Sequence, residues 1–289
     1  MRAFEEKLCA DMVGSSSGAK LVTWDERDAM LYALGVGAGL GAPASELEFT
    51  TENSGGIALQ AIPSFLTILA AAHKPPALQR LDAGQFLHGE QFIELLLPLP
   101  PAGRGFVCST VESVLDKGDG AILVIASTLY GDDEQRHIIG RGRMSIFVRG
   151  AGGFGGPRGT AAAFELPVRG PDVRIRHQIR PEQALLYRLS GDRHRLHSDP
   201  RFARDRGFDR PILHGLCTYG FACRALIEAV AVGHPNRLRA MDGRFRKPVY
   251  PGDTVTTEIW CGVGGQILFQ TLDGNGEAAI ERGTALFAY

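Results

Sequence analysis

A short polar stretch of the chain places a carboxylate and an imidazole five residues apart, at Asp192 and His197. The segment cannot be one continuous helix, because Ser190-Gly191 precede it and Asp199-Pro200 have the pattern of a helix start. A compact turn can therefore bring the two side chains together. A carboxylate beside an imidazole orients the ring and shifts its proton affinity, as general acid and base catalysis near neutral pH requires.

A glycine at position 215 precedes a segment with the periodicity of a buried helix. Apolar or small residues recur at 216, 220, 223, 227 and 230. Gly215 is therefore expected at the helix N-terminus, where a backbone N–H has no intrahelical partner and the helix dipole is positive. Such an N–H can stabilise a developing oxyanion, and glycine lets a ligand approach the backbone closely.

The same residues have other possible roles. Asp192 and His197 can simply cap turns. His194, His197 and His214, with Asp192 or Asp199, can instead ligate a metal ion, but the turn lacks a recognisable ligand spacing and we expect no metal. His214 is expected to pack and hydrogen-bond at the start of the helix rather than to ionise.

Residues 187–200 (YRLSGDRHRLHSDP) and 211–220 (PILHGLCTYG) resemble the signature of the MaoC-like, hydratase-2 type enoyl-CoA hydratases. The family pattern is roughly Y-x-L-S-G-D-x-N-P-L-H-x-D-P. Further segments are similar to that family at residues 88–91, 98–103, 152–156 and 245–252. The resemblance therefore covers nearly the whole chain.

This resemblance implies an (R)-specific 2-enoyl-CoA hydratase, which converts trans-2-enoyl-CoA reversibly to (3R)-3-hydroxyacyl-CoA. It assigns the family's catalytic pair to Asp192 and His197 and its oxyanion-hole glycine to Gly215. It implies no metal or redox cofactor, with a coenzyme A thioester as the substrate. The sequence departs from the family where His194-Arg195 replace Asn-Pro. We expect His194 to take over positioning of the water or the acyl group with its titratable ring, or activity to be reduced, or the substrate range to change.

Two other functions fit the same residues. An acyl-CoA thioesterase of the same fold would release free thiol. A non-catalytic acyl-CoA binding or partner subunit would bind thioester without turnover, and His194-Arg195 makes that reading plausible.

Several residues are candidates for binding coenzyme A or substrate: Arg195, Arg246, Lys247, His88 and Gly89. The three cations can meet phosphates or can simply be solvated. The polar cluster at residues 88–91 is better read as hydrogen-bonded structure between the halves of the chain, or at a pocket rim.

The composition excludes several classes of protein. Basic and acidic residues number 31 and 32 in 289, so no net field favours nucleic acid or a membrane surface as a partner. The five cysteines form no C-x-x-C pair, so we expect reduced thiols and a cytoplasmic location. No signal peptide or membrane-spanning run is recognised, and residues 1–20 look like a loosely held leader. We expect a homodimer that binds acyl-CoA.

The elements predicted for the first half are helices followed by strands. Helices are predicted over residues 23–34 and 57–72, with a short strand at 47–51 between them. Strands are predicted over 91–97, 105–115, 121–130 and 137–148, with a hairpin turn at 117–120. The motif G-x-G-x-x-G at Gly150, Gly152 and Gly155 is not interpreted as a dinucleotide site. Such a site needs a helix directly after the glycines to bind the pyrophosphate, and the residues that follow here cannot begin one.

The second half repeats this order. A helix after Ile212 precedes strands near residues 237–247, 253–261, 266–271 and 278–287. Two copies of helix plus antiparallel meander predict an α+β double hot-dog, the fold that the resemblance also implies. We divide it into an N-terminal hot-dog (1–149), a Gly/Pro-rich linker (150–172) and a C-terminal catalytic hot-dog (173–289). Because residues 35–40 lack an acid or base, we expect one active site per chain, with the first half shaping the acyl and coenzyme A pocket.

Overall fold

The computed structural model describes residues 10–41, 45–81, 86–132, 134–160 and 163–288. Within these residues, ten strands form one antiparallel sheet in the order β1-β3-β4-β5-β2-β7-β10-β9-β8-β6. The strands are β1 Lys20–Trp24, β2 Phe86–Leu95, β3 Gly103–Asp116, β4 Gly120–Tyr130, β5 Ile138–Arg149, β6 Val173–Gln178, β7 Leu238–Phe245, β8 Thr254–Cys261, β9 Gln266–Leu272 and β10 Ala278–Phe287. The helices are α1 Glu26–Gly35, α2 Leu47–Thr50, α3 Leu66–Ala70, α4 Gln183–Tyr187, α5 Pro200–Asp205 and α6 Gly215–Val230.

The double hot-dog predicted from the sequence is confirmed. Strands β1 to β5 form one half of the sheet and β6 to β10 the other, and β2 pairs with β7 to join the halves. In that pair Phe92 lies opposite Asp242, an offset of 150 residues, so β2 and β7 are equivalent strands of the two copies. All the predicted strands except the one at residues 47–51 form, and alternate side chains of β3 and β4 are buried, as expected for a half-covered sheet.

The two central helices differ greatly in length. α6 spans 16 residues and is almost entirely buried, and it begins where the sequence predicts. The helix predicted over residues 57–72 is wrong in length, because only a 3₁₀ turn at Pro63–Phe65 and the five-residue α3 form there. Pro63 lacks an N–H and disfavours the helical conformation of the residue before it, so no helix runs through this position.

Three other local predictions are corrected. Residues 47–50 form α2 rather than a strand. The helix predicted from residue 23 begins at Glu26, and Asp25 is its N-cap. Residues 23 and 24 are instead the last two residues of β1. Part of the expected loose leader is packed on β3, where Met12 is buried and the Ser17 N–H donates to the Ser109 carbonyl at 2.9 Å. Residues 1–9 lie outside the described part.

The glycine-rich stretch after β5 binds a carboxylate of the chain itself. Asp116, at the end of β3, accepts the N–H groups of Gly118, Gly153 and Gly155 at 2.7 to 2.9 Å. These backbone donors hold the pKa of Asp116 at about 2. Two of the three donors follow β5, so this part of the chain is tied to the β3–β4 turn and its N–H groups are already occupied.

In the described residues, no helix is long and apolar enough to cross a membrane.

Candidate active site

The turn that presents Asp192 is fixed by α4 and by one glycine. Gln183 at the start of α4 donates to the carbonyls of Leu34 and Gly35 at 2.9 and 2.6 Å, which anchors the turn to α1. The chain then passes through a 3₁₀ turn to Gly191, whose φ of 135° suits glycine alone. Directly after it, the Asp192 carboxylate accepts the His194 N–H at 3.1 Å.

His197 ends a second 3₁₀ turn and points back toward Asp192. Its Nδ1 lies 2.9 Å from the Ile212 carbonyl oxygen. Since a carbonyl only accepts hydrogen bonds, the ring proton is on Nδ1, and Nε2 carries a free lone pair.

His214 completes a cluster with these two residues. Its Nε2 donates to the backbone carbonyl of Asp192 at 3.1 Å, and its ring stacks on His197 with centroids 3.7 Å apart. Atoms of Asp192, His197 and His214 that can bind a metal all lie within 4.8 Å of one another. The geometry therefore suits a small polar species, either a metal ion or a water molecule. As expected from the sequence, His214 packs and hydrogen-bonds at the start of α6.

The site combines a charged carboxylate with neutral imidazoles. Partial desolvation raises the pKa of Asp192, but the His214 ring, the His194 N–H and the His197 ring lower it below its usual value overall. Burial holds the pKa of His197 below its usual range. The pKa of His214 is lowered more strongly, first by burial and then by the nearby His197 ring. At neutral pH, Asp192 is therefore ionised while both rings are uncharged.

Gly215 is the first residue of α6, as predicted. Among the described residues its N–H has no hydrogen-bond acceptor, which the first turn of a helix leaves open. A Cβ at this position would lie 3.4 Å from the Phe245 ring, so glycine keeps the approach to this N–H clear.

His88 brings the N-terminal half to the same place. Its ring lies edge-on to Phe245 with centroids 4.8 Å apart, and Gly89 forms a β-bulge beside it in β2. Burial lowers the pKa of His88 to about 4, and the charge of Asp192 acts in the opposite direction. The side chains of both halves therefore line one site.

The family is decided by comparison with known proteins. A model described as MFE-2 hydratase 2 N-terminal domain matches residues 22–150, and one described as MaoC like domain matches residues 163–281. The chain is 44% identical over 263 residues to 3-hydroxyacyl-thioester dehydratase Y of Mycobacterium tuberculosis, covering 90% of this chain and 89% of that protein. The chain belongs to the MaoC-like, hydratase-2 type family.

Two further relatives agree with this assignment. Peroxisomal enoyl-CoA hydratase 2 of Arabidopsis thaliana is 38% identical, with 86% of this chain and 85% of that protein covered. The crystal structure of a MaoC-like dehydratase from Phytophthora capsici superposes with a TM-score of 0.85 at 30% identity, covering 97% of this chain and 98% of that one.

The family's Asn-Pro pair is replaced here by His194 and Arg195. The Nδ1 of His194 accepts the Leu196 N–H at 3.3 Å, so the neutral ring carries its proton on Nε2. Its ring lies edge-on to His197 with centroids 6.0 Å apart. Arg195 turns away from this pair, because it binds Asp199 at 2.5 Å and lies over the Phe202 ring.

The other predicted cations lie just after β7, close in sequence to Phe245. Arg246 is paired with Glu281 at 3.8 Å and Lys247 with Glu277 at 3.4 Å. All three predicted cations are therefore held in ion pairs within the chain.

Sequence reasoning missed Arg188 as part of the site. Its guanidinium donates to the Arg193 carbonyl at 3.1 Å, and its charge helps to lower the pKa of both His197 and His214. The Arg188 Nε is buried without a partner among the described residues. No sequence pattern predicts this contribution, since arginine beside a turn is most often solvated.

Proposed function

We propose that this protein is an (R)-specific 2-enoyl-CoA hydratase, a hydro-lyase that adds water reversibly to trans-2-enoyl-CoA and forms (3R)-3-hydroxyacyl-CoA. The observation on which this rests is the convergence of three groups. These are the ionised Asp192, the unprotonated Nε2 of His197 and the free Gly215 N–H. Membership of the hydratase-2 type family supports the same reaction and its stereochemistry.

The reaction needs a base, a proton donor and a site for negative charge. One water molecule is held between Asp192 and His197, and its oxygen forms a bond to C3 of the substrate. The electrons of the C2=C3 bond move to the thioester oxygen, and the pair takes up the water's proton. As the enolate collapses, that proton returns to C2.

The protonation states support a proposal for the origin of the C2 proton. At neutral pH the Asp192 carboxylate holds no proton, and the His197 proton on Nδ1 is bound to the Ile212 carbonyl. The pair therefore starts without a transferable proton, and the attacking water supplies both the hydroxyl at C3 and the hydrogen at C2. We treat the two residues as one proton-accepting unit.

The Gly215 N–H is proposed to bind the thioester oxygen as it gains charge. Removing such a donor costs roughly 3 kcal/mol of transition-state stabilisation. Hydration of a conjugated thioester involves only proton transfer and charge stabilisation, so we propose that no metal or redox cofactor takes part.

The substrate contacts follow from the positions around Gly215. We propose that His88 and Gly89 shape the wall of the acyl pocket. Arg246 and Lys247 are proposed to bind coenzyme A phosphates, which would replace Glu281 and Glu277 as their ion-pair partners. His194 offers its Nε2–H in place of the family's asparagine amide. Arg195, which faces Asp199, is the weakest candidate for coenzyme A binding.

We further propose a cytoplasmic homodimer. The outermost strands β1 and β6 each pair with only one neighbour in the described sheet, and an unpaired strand edge favours association with a second chain.

The proposed function is tested by the loss of enone absorbance with short-chain and medium-chain trans-2-enoyl-CoA. Asp192→Asn and His197→Ala are each expected to lower kcat by at least about 1000-fold, because the proton acceptor for water is lost. The product should have 3R configuration, and no free thiol should be released. Thiol release would indicate a thioesterase, and tight binding without turnover would indicate a binding subunit.

A further inference from the structure

One buried side chain connects the Asp192 turn, the His197 ring and the start of α6. His214 is 1% exposed, and its Nε2 bonds to the backbone of Asp192, 22 residues away. Its ring lies parallel to His197 within 27°, and Tyr187 lies near it, with ring centroids 4.9 Å apart. It is also the residue immediately before Gly215, at the N-cap of α6.

The protonation of His214 suits a fixed support rather than a proton donor. The Asp192 carbonyl can only accept, so the proton of the neutral ring is on Nε2. Its Nδ1 is buried and has no partner among the described residues. A neutral ring that is buried and whose single proton is bound to a backbone carbonyl is not available as a proton donor to a substrate.

We propose that His214 is a positioning residue, which fixes the backbone of Asp192 through its hydrogen bond and the plane of His197 through its stacked ring. This inference rests on the proposed function, because the dyad is what it positions. The two actions use different parts of one side chain. They can therefore be removed separately.

The stacked ring has a further consequence for His197. Burial is the main reason that the pKa of His197 is lowered, and the His214 ring covers one side of it. The hydrogen bond to the Ile212 carbonyl and the Asp192 carboxylate raise this pKa, and His194 and Arg188 lower it. His88 of β2 interacts with Asp192. If the ring is removed and these groups remain, water reaches His197 and its pKa rises toward the ordinary value.

Two variants separate the actions. His214→Phe keeps a ring over His197 but leaves the Asp192 carbonyl unpaired. We expect kcat/KM to fall about 100-fold, because displacing a catalytic group by up to about 1 Å has an effect of this size. The acid limb of its pH profile should stay in place. His214→Gln keeps an N–H donor and removes the ring, so kcat/KM at its optimum should stay within about tenfold of native while the acid limb moves to higher pH.

The His197 titration is also followed by NMR of the ring C–H signals, with unfolding midpoints measured for each variant. The NMR titration needs no turnover, so it tests the role of His214 even if the native protein does not hydrate enoyl-CoA. Absence of hydration by the native protein would refute the proposed function but not the position of His214 over His197. The positioning role is wrong if His214→Phe keeps native kcat/KM, or if the His197 titration is unchanged in His214→Gln. Parallel losses of activity and stability in both variants, with no shift in titration, would show a purely structural role.

Discussion

At the scale of single residues, the sequence predicts the pairing of Asp192 and His197 in one turn, but not the contacts of His214 with that turn. Asp192 and His197 could be paired because a glycine before them and Asp199-Pro200 after them force a turn. The role of His214 depends on a hydrogen bond and a stacked ring that exist only after α6 packs beside this turn. Local spacing contains no information about such a contact.

The Gly215 N–H can be tested by a substitution that removes the donor while keeping the helix. Proline is favoured at the first helical position, and the φ and ψ of His214, −62° and 136°, suit a residue that precedes proline. Gly215→Pro is therefore expected to lower kcat about 100-fold to 1000-fold with little change in the unfolding midpoint.

The matched control is Gly215→Ala. Its added Cβ meets the Phe245 ring at the same 3.4 Å that proline's Cβ would, but the N–H remains. We expect a much smaller loss of kcat in this variant. Equal losses in the two variants would show that steric contact with Phe245, rather than a missing donor, explains the effect.

At the scale of elements, prediction succeeded where burial and local propensity agree. α6 is a long apolar segment with residues 217–227 all buried, and β3 and β4 alternate between buried and partly exposed residues. The segment at residues 57–72 is apolar without being one helix, since Pro63 interrupts it. The edge strands β1 and β6 were missed, because they are short and half-exposed.

α2, read as a strand from its sequence, takes part in a buried ion pair with α6. Arg224, 5% exposed, bonds to both carboxylate oxygens of Glu46, the residue before α2, and to the Val36 carbonyl. Glu46→Gln removes the carboxylate that is bound to this buried cation, so we expect about 3 kcal/mol of destabilisation in urea unfolding.

The double variant Glu46→Gln/Arg224→Met provides the control. It removes the uncompensated charge and should recover a large part of the lost stability. If the double variant is less stable than Glu46→Gln alone, the pair is not what holds α2 against α6.

At the scale of the whole molecule, the two halves share a fold, but only the second contains the turn with Asp192 and His197. Tyr32 and Tyr187 are both fully buried at matching places, and Tyr32 bonds to Ser64, which lies 150 residues before His214. The loop of the first half contains Gly37 where the second half has Asp192. A Cβ on Gly37 would lie 2.3 Å from Cε1 of Phe221. Phe221 of α6 therefore leaves no room for a side chain at this position of the first half.

This packing predicts that the first half cannot tolerate side chains at the position matching Asp192. Gly37 and Gly39 both have positive φ, 83° and 74°, but only Gly37 lies against Phe221. Gly37→Ala combines backbone strain with overpacking and should be less stable than Gly39→Ala by about 1–3 kcal/mol in urea unfolding. Equal losses would mean that Phe221 can move aside. In that case its packing would not explain why the first half lacks a site.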